Sequence, residues 1–424
     1  MPGLRAVIFE GNLAQNFVPL TLTKPTFELI LGCQTILDML CRRLRTENPD
    51  LIVREHLRHL ISSRRPSTRI NNFQPDGPVL FVNGLTNITK PDVQKLLKHR
   101  EPFIALSDGV VVLARLPAKQ VEKLVPTNND EIELQLTRYS RGYAKYHVAN
   151  SSLIRFPWSL IELNSEILND QLSQYPVGDF DHEASAVMGA ANLLKIARDV
   201  EVGPHVVFDV RNGPIVIGHK AVIHSFSLIT GPAYIGEGAV IKSALIREGT
   251  TIMKGSHIGG EVESSIIEEF SNKSHDGFIG HTYLGKWVNL GAMTTTSDLK
   301  NTYGHFRASV GHHRVDTALQ KVGCFIGDYA KSSIGSMILG SKKVGVSAHV
   351  QGTVLRDVPS FTIQPLGKLE GIVELDLESS LLTQERMMNR RGVSPSREEK
   401  DILKIVFRLT QGERRQAGAL PRRI

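Results

Sequence analysis

The sequence predicts two architectures in one chain: an α/β domain, then a parallel β-helix of hexapeptide repeats, closed by a short helical tail. Three observations predict it. An aliphatic residue returns about every six positions through the second half of the chain, the first part mixes short apolar strands with amphipathic helices, and the last segment is basic with helical spacing. At 424 residues the chain exceeds the size at which one core keeps growing, so two or more units are expected.

The first unit, residues 1–176, reads as α/β. Candidate strands are Arg5–Phe9, Val79–Val82, Phe103–Ser107 and Val110–Leu113, with candidate helices at Cys33–Arg45, Arg54–Ser63, Lys90–Lys98 and Ala118–Leu124. Leu153–Tyr175 reads as a closing helix, with Pro157 early and Pro176 beyond its end. Residues 177–194 then form a linker.

The sixfold beat runs Ile196, Val202, Phe208, restarts as Ile217, Ile223, Ile229, Ile235, Ile241, and continues as Ile246, Ile252, Ile258. It resumes at Phe278, Leu284, Leu290 and, after a polar insertion, at Ile326, Ile338, Val344 and Val350, with Ser332 where the aliphatic is missing. A helix repeats every 3.6 residues and a strand every two, so neither sustains this beat. A hexapeptide β-helix does, each hexapeptide being a short strand and a turn whose aliphatic points into a narrow core. One repeat cannot bury its row alone, so repeats stack. The beat places this unit at 195–365. Within it, Thr294–Val322 breaks the pattern and reads as a projecting loop. Residues 366–424 form the helical tail, where Ser396 and Glu399 fit a capping box.

Composition is that of a soluble globular protein, 41% hydrophobic and 22% charged. No apolar run approaches the ~20 residues of a membrane span, and the first eleven residues lack a signal-peptide core, so the expected location is the cytoplasm. Three cysteines, Cys33, Cys41 and Cys324, are odd in number and not in C-x-x-C spacing, which argues against a disulfide framework or a zinc site. The net charge is +7, and the stretch from Arg390 onward, with ten Lys/Arg and four Asp/Glu, contributes +6 of it. Such a tail reads as a solvated helix and a loose end; no nucleic-acid partner is expected.

The densest chemistry lies between Asn272 and Gly285. A histidine on a β-helix suits general-base work because imidazole takes up a proton near neutral pH. His275 falls where the beat has lapsed, which places it on the surface or in a groove. His305, His312 and His313 in the loop lack ligand-spaced Cys or carboxylate neighbours, and no metal is expected there.

His275 to Ala292, H-D-G-F-I-G-H-T-Y-L-G-K-W-V-N-L-G-A, resembles the acetyltransferase half of the bifunctional UDP-N-acetylglucosamine pyrophosphorylase/glucosamine-1-phosphate N-acetyltransferases. The match is closer to a divergent bacterial sugar nucleotidyltransferase branch, through Gly259–Glu261, Ser271–Phe278, Asn289–Ala292, Leu299–Gly304 and the opening Glu10–Leu29. The resemblance spans about residues 5 to 365 and leaves out the basic tail. It implies a nucleotidyltransferase-like first domain, a left-handed β-helix, a homotrimer, and acyl transfer from acetyl-CoA to a sugar phosphate.

Carried onto this chain, the resemblance makes His275 the base that deprotonates the sugar amine, Asn289 a sugar ligand, and Glu261, or else Glu263, the group orienting the imidazole. Arg247 is the first candidate for the sugar phosphate and Lys273 the second. Lys342 and Lys343 would meet the CoA phosphates near a subunit boundary. In the first domain the resemblance is eroded. Gly11 opens a loop lacking the second Gly and the Arg of the family pattern, Thr21 and Lys24 remain of its P-L-T and Lys-Pro elements, and Asn83 replaces a metal-binding Asp. UTP or another NTP, with Mg2+, would serve there only if that domain is active, since an amide binds Mg2+ less well than a carboxylate. The alternative reading is a non-catalytic trimeric scaffold or sugar-nucleotide sensor.

Overall fold

The computed structural model describes residues 5–72, 77–124, 129–176, 185–365 and 371–421. The N-terminal domain contains β1 (Arg5–Phe9), α1 (Ile36–Leu44), β2 (Asp50–Ile52), α2 (Arg58–Arg64), β3 (Val79–Asn83), α3 (Pro91–Leu97), β4 (Phe103–Ser107), β5 (Val110–Leu116), α4 (Ala118–Val121), α5 (Asn129–Tyr139), β6 (Ala144–His147) and α6 (Pro157–Ser173). The sheet order is β2-β1-β3-β5-β4-β6, parallel except for β5, which runs against both β3 and β4. Its apolar strands bury both faces: Val7, Phe9 and Phe81 pack in one cluster, Ile8, Leu80 and Val82 in the other. The sequence reading missed β2, α5 and β6; β2 is three residues long and β6 is a mostly exposed Ala-Lys-Tyr-His. α1 starts at Ile36 rather than Cys33 because the Thr35 hydroxyl accepts from the Asp38 N–H and caps the helix.

The second unit is a parallel β-helix with three faces. The first face runs from Leu194–Ile196 to Lys343–Val344 as an eight-stranded sheet. The second runs from Glu201–Val202 to His349–Val350, and the third from Ala186–Met188, inside the stretch read as linker, to Thr353–Val354. The interior is the expected aliphatic stack, with Ile217, Ile223, Ile229, Ile235, Ile241 and Ile246 all buried.

The beat does not lapse where the sequence suggested. Ile258 is in register with Lys273, so Lys273 takes the inward position on that coil and is 1% exposed. The next inward residue is Ile279, in register with Val262; Phe278, expected in the core, points outward. On the same third face the next inward residue is Thr296, fully buried and paired with Ile338. The chain therefore leaves the coil only after Thr296. The excursion is closed at its base by an antiparallel bridge from Leu299 to Lys321 and carries a hairpin, Arg307–Val310 with His313–Asp316. It is no free loop, since Phe306 and Ala308 enter the N-terminal core.

The N-terminal domain covers the outward row of the first face. Val216 and Tyr234 pack against Cys33, Leu168 and Leu172, and the Tyr283 hydroxyl accepts from the Ile30 N–H at 2.7 Å. Asn164 of α6 donates to the Thr251 hydroxyl at 3.0 Å. The tail forms α7 (Leu377–Asn389), α8 (Arg397–Leu409) and α9 (Gln411–Gln416), and α8 carries the Ser396/Glu399 capping box. Contrary to the expected loose end, these helices are docked: Glu399 pairs with Arg64 of α2 at 3.2 Å, and Arg414 is 1% exposed, stacked 4.0 Å over the Phe407 ring with its Nε on Glu374.

Candidate functional site

His275 occupies the corner between the second-face strand Asn272–Lys273 and the third-face strand Phe278–Gly280. It is exposed, and no described residue bonds its imidazole. The corner stacks directly on the Gly259-Gly260 corner of the coil before. A Cβ on Gly259 would lie 2.4 Å from the Ser274 carbonyl oxygen, which is why glycine is required there. From inside the coil the Lys273 ammonium donates to the Gly259 carbonyl at 2.8 Å and to the His275 carbonyl. Lys273 therefore pins the histidine's backbone and cannot reach a sugar phosphate, a correction to its expected role. Burial lowers its pKa to about 8.

The outward row of the second face runs His257, Asn272, Asn289, Lys331, His349 in successive register. Asn272 donates to the Asn289 side-chain oxygen at 2.8 Å, so Asn289 is placed one strand from the His275 coil. The tail walls this row: Ser379, Ser380, Thr383 and Gln384 of α7 face Tyr329, Lys331, Ser347 and His349, and Arg391 contacts the Nε2 of His257. Burial lowers the pKa of Lys331 to about 8. His257, Asn272, Lys331 and Arg391 were missed by the sequence reading; a six-residue count back from Asn289 misses Asn272 and His257, because corners of unequal length break it.

On the third-face side, Glu261 does not orient the imidazole, because its carboxylate accepts from Arg247 Nε at 2.5 Å. Arg247 keeps 43% of its side chain exposed, but Glu261 neutralises it. Glu263, the alternative orienting group, pairs with Lys321 at 2.8 Å and lies with His281 and Asp298, where His281 Nδ1 is 2.7 Å from Asp298. His305, His312 and His313 are exposed and do not join that group. Lys342 and Lys343 are both half-buried; Lys343 lies beside Phe325 on the first face, with Asp357 and Glu413 close by, so the pair is not the open cationic corner expected for CoA phosphates.

The N-terminal residues carried over from the nucleotidyltransferase pattern are engaged elsewhere. The Lys24 ammonium is buried against Glu268 and, at 2.8 Å, Asp328, both of the β-helix, while Thr23 donates to Asp328 at 2.6 Å. Burial alone would lower the lysine's pKa, but the two carboxylates raise it overall. Thr21 is buried, its hydroxyl on the Ala14 carbonyl. Beside Gly11 the space is filled by Glu133, whose Oε1 would lie 2.0 Å from a Cβ there and which accepts from Asn12 and Asn83. Mg2+ does not fit at Asn83: its side-chain oxygen accepts from the Leu85 N–H and its amide donates to the Val111 carbonyl at 3.0 Å.

Residues 6–174 match the model of a family described as sugar nucleotidyl transferase. The chain is 27% identical over 207 residues to a bifunctional sugar-1-phosphate nucleotidylyltransferase/acetyltransferase of Sulfurisphaera tokodaii, covering 48% of this chain and 45% of that protein, which is less than half the relative's length. It is 22% identical over 406 residues to the bifunctional protein GlmU of Methanococcus aeolicus, covering 82% of this chain and 94% of the relative. A solved UDP-N-acetylglucosamine acyltransferase of Francisella novicida aligns over 55% of this chain and 78% of its own, at 17% identity and a TM-score of 0.29. The chain is thus similar to bifunctional sugar-1-phosphate nucleotidylyltransferase/acetyltransferases, with the sugar nucleotidyl transferase pattern over residues 6–174.

Proposed function

We propose that the protein transfers an acetyl group from acetyl-CoA to the amine of glucosamine 1-phosphate, with His275 as the general base. One observation carries the reading: an exposed imidazole, without a partner among the described residues, stands at a rigid corner three residues past Asn272, whose amide bonds Asn289 on the next coil in the row walled by α7. His275 takes a proton from the amine as its nitrogen bonds the thioester carbonyl carbon; the C–S bond then breaks, and the CoA thiolate leaves with that proton. Asn289 hydrogen-bonds the sugar.

A closed trimer of this chain is part of the proposal. Among described residues, Met293, Ile334, Met337, Leu339 and Leu355 are exposed apolar groups on the later coils, away from the face that the N-terminal domain covers. The N-terminal domain acts in this reading as a docking piece rather than a nucleotidyltransferase, a view favoured by the burial of Lys24 and the Glu133 carboxylate beside Gly11.

The test is thiol release from acetyl-CoA with glucosamine 1-phosphate. Native protein is expected to release thiol only with the sugar phosphate, and His275→Ala to lose at least about 100-fold in rate. Release that persists in the folded variant, or is absent from folded native protein, overturns the reading.

A further inference from the structure

The acceptor's phosphate lacks a seat among the residues assigned so far, because Lys273 lies inside the coil and Arg247 is neutralised by Glu261. The C-terminal tail, outside the resemblance, supplies cations at the right place. α7 runs along the second face, and just past its end Arg391 lays its guanidinium on His257. His257 is in register with Asn272, and Asn272 with Asn289. Neighbouring strands are about 4.8 Å apart and a strand rises about 3.3 Å per residue, so His275, three residues beyond Asn272, lies on the order of 11 Å from His257.

Charge decides what this place can hold. Among the described residues the one side-chain partner of Arg391 is His257 Nε2, which leaves most of its five N–H donors without a described acceptor. Burial holds the His257 pKa down, to about 4, with Arg391 and Lys242 adding to the effect, so the ring is a neutral acceptor. Arg390 and Lys242 stand close by, and neither is joined to a carboxylate among the described residues. On the other side of His275, by contrast, Arg247 and Lys321 each carry a carboxylate. Three cations without a counterion among the described residues, one of them a half-buried fork that matches phosphate bidentately, describe an anion seat.

We propose that Arg391, backed by Lys242 and Arg390, binds a phosphate monoester beside the His275 corner, so that the tail completes the site. The location stands on this geometry alone; naming the ligand as the acceptor sugar phosphate rests on the acyl-transfer reading. CoA carries the same chemistry, and the experiment separates the two.

Glucosamine 1-phosphate, unphosphorylated glucosamine and CoA are titrated calorimetrically into native protein, Arg391→Ala and Lys242→Ala, and thiol release is measured alongside. The expected result is at least about a tenfold weaker glucosamine 1-phosphate affinity in Arg391→Ala, as for loss of a charge-assisted hydrogen bond, and a smaller loss in Lys242→Ala. Glucosamine binding stays unchanged. A loss confined to CoA assigns the seat to the CoA phosphates. Lys242 lies on a β-helix strand, so its variant leaves the tail in place should Arg391→Ala unfold it. The seat is overturned if native protein binds neither phosphorylated ligand, if the variants bind them as native does, or if glucosamine loses as much as its phosphate. Phosphate-dependent losses without thiol release sink the acyl-transfer reading and keep the seat.

Discussion

Lys24 sits between Asp328 and Glu268 in the buried contact that joins the domains, and the Tyr283 hydroxyl donates to Glu268 at 2.7 Å. Burial pushes its pKa from 4.5 up to about 7, against the pull of Lys24. The folded state therefore holds a proton on Glu268 between those values while the unfolded chain has released it. Its contribution to stability is full below about 4.5 and lost as pH rises through about 7. Asp328, lowered from 3.8, and Lys24, raised from 10.5, titrate outside that window. Glu268→Gln cannot titrate, so its urea midpoint should fall less than the native one between the two ends of that window. Equal falls would show that Glu268 stays ionised when folded. The same lesson applies to Lys24 and Lys273: a sequence shows a lysine as a charge, and only packing tells whether the charge meets a ligand, a buried carboxylate or two backbone carbonyls.

At the scale of the element, the sixfold beat identified the β-helix because one inward residue per face is a steric necessity that sequence records directly. It misplaced the coil around His275 because corners differ in length: five residues separate Ile279 from Leu284, and six separate Lys273 from Ile279. Counting back six from Leu284 lands on Phe278, an outward residue. His275 was legible as a surface residue, although the reason was different, since the core position was filled by Lys273 rather than vacant. The Gly259-Gly260 corner beneath it is a sharp constraint. Gly259→Ala would drive a Cβ to 2.4 Å from the Ser274 oxygen, and a clash with backbone is expected to cost about 1–3 kcal/mol and shift the His275 turn. A lower melting temperature with reduced thiol release is expected; native values for both would refute this view of the corner.

Across the whole molecule, the N-terminal domain spends its Pro19–Pro25 segment on the β-helix. Lys24 enters the buried ion cluster, and a Cβ on Gly327 would come within 3.2 Å of the Pro19 ring. A ligand that binds only the folded state raises the melting temperature by mass action. Millimolar UTP with Mg2+ is expected to leave the native melting temperature unchanged and to yield no pyrophosphate with a sugar phosphate. A rise, or pyrophosphate release, would show that the domain still takes a nucleotide.

The sequence by itself determined the architecture and singled out the His275 corner as the candidate site. Periodicity reports which side chains must be inside, and the H-D-G-F and V-N-L-G-A segments are local strings whose spacing survives in one coil and the next. Tertiary structure alone decided which charges are free. It buried Lys24 and Lys273, tied Arg247 to Glu261, filled the space beside Gly11 with Glu133, and brought Arg391 to His257 across 134 positions of chain. The physical reason is range: inward and outward alternation is written residue by residue, whereas the partner of a charge is set by how coils, domain and tail pack, which no local pattern records.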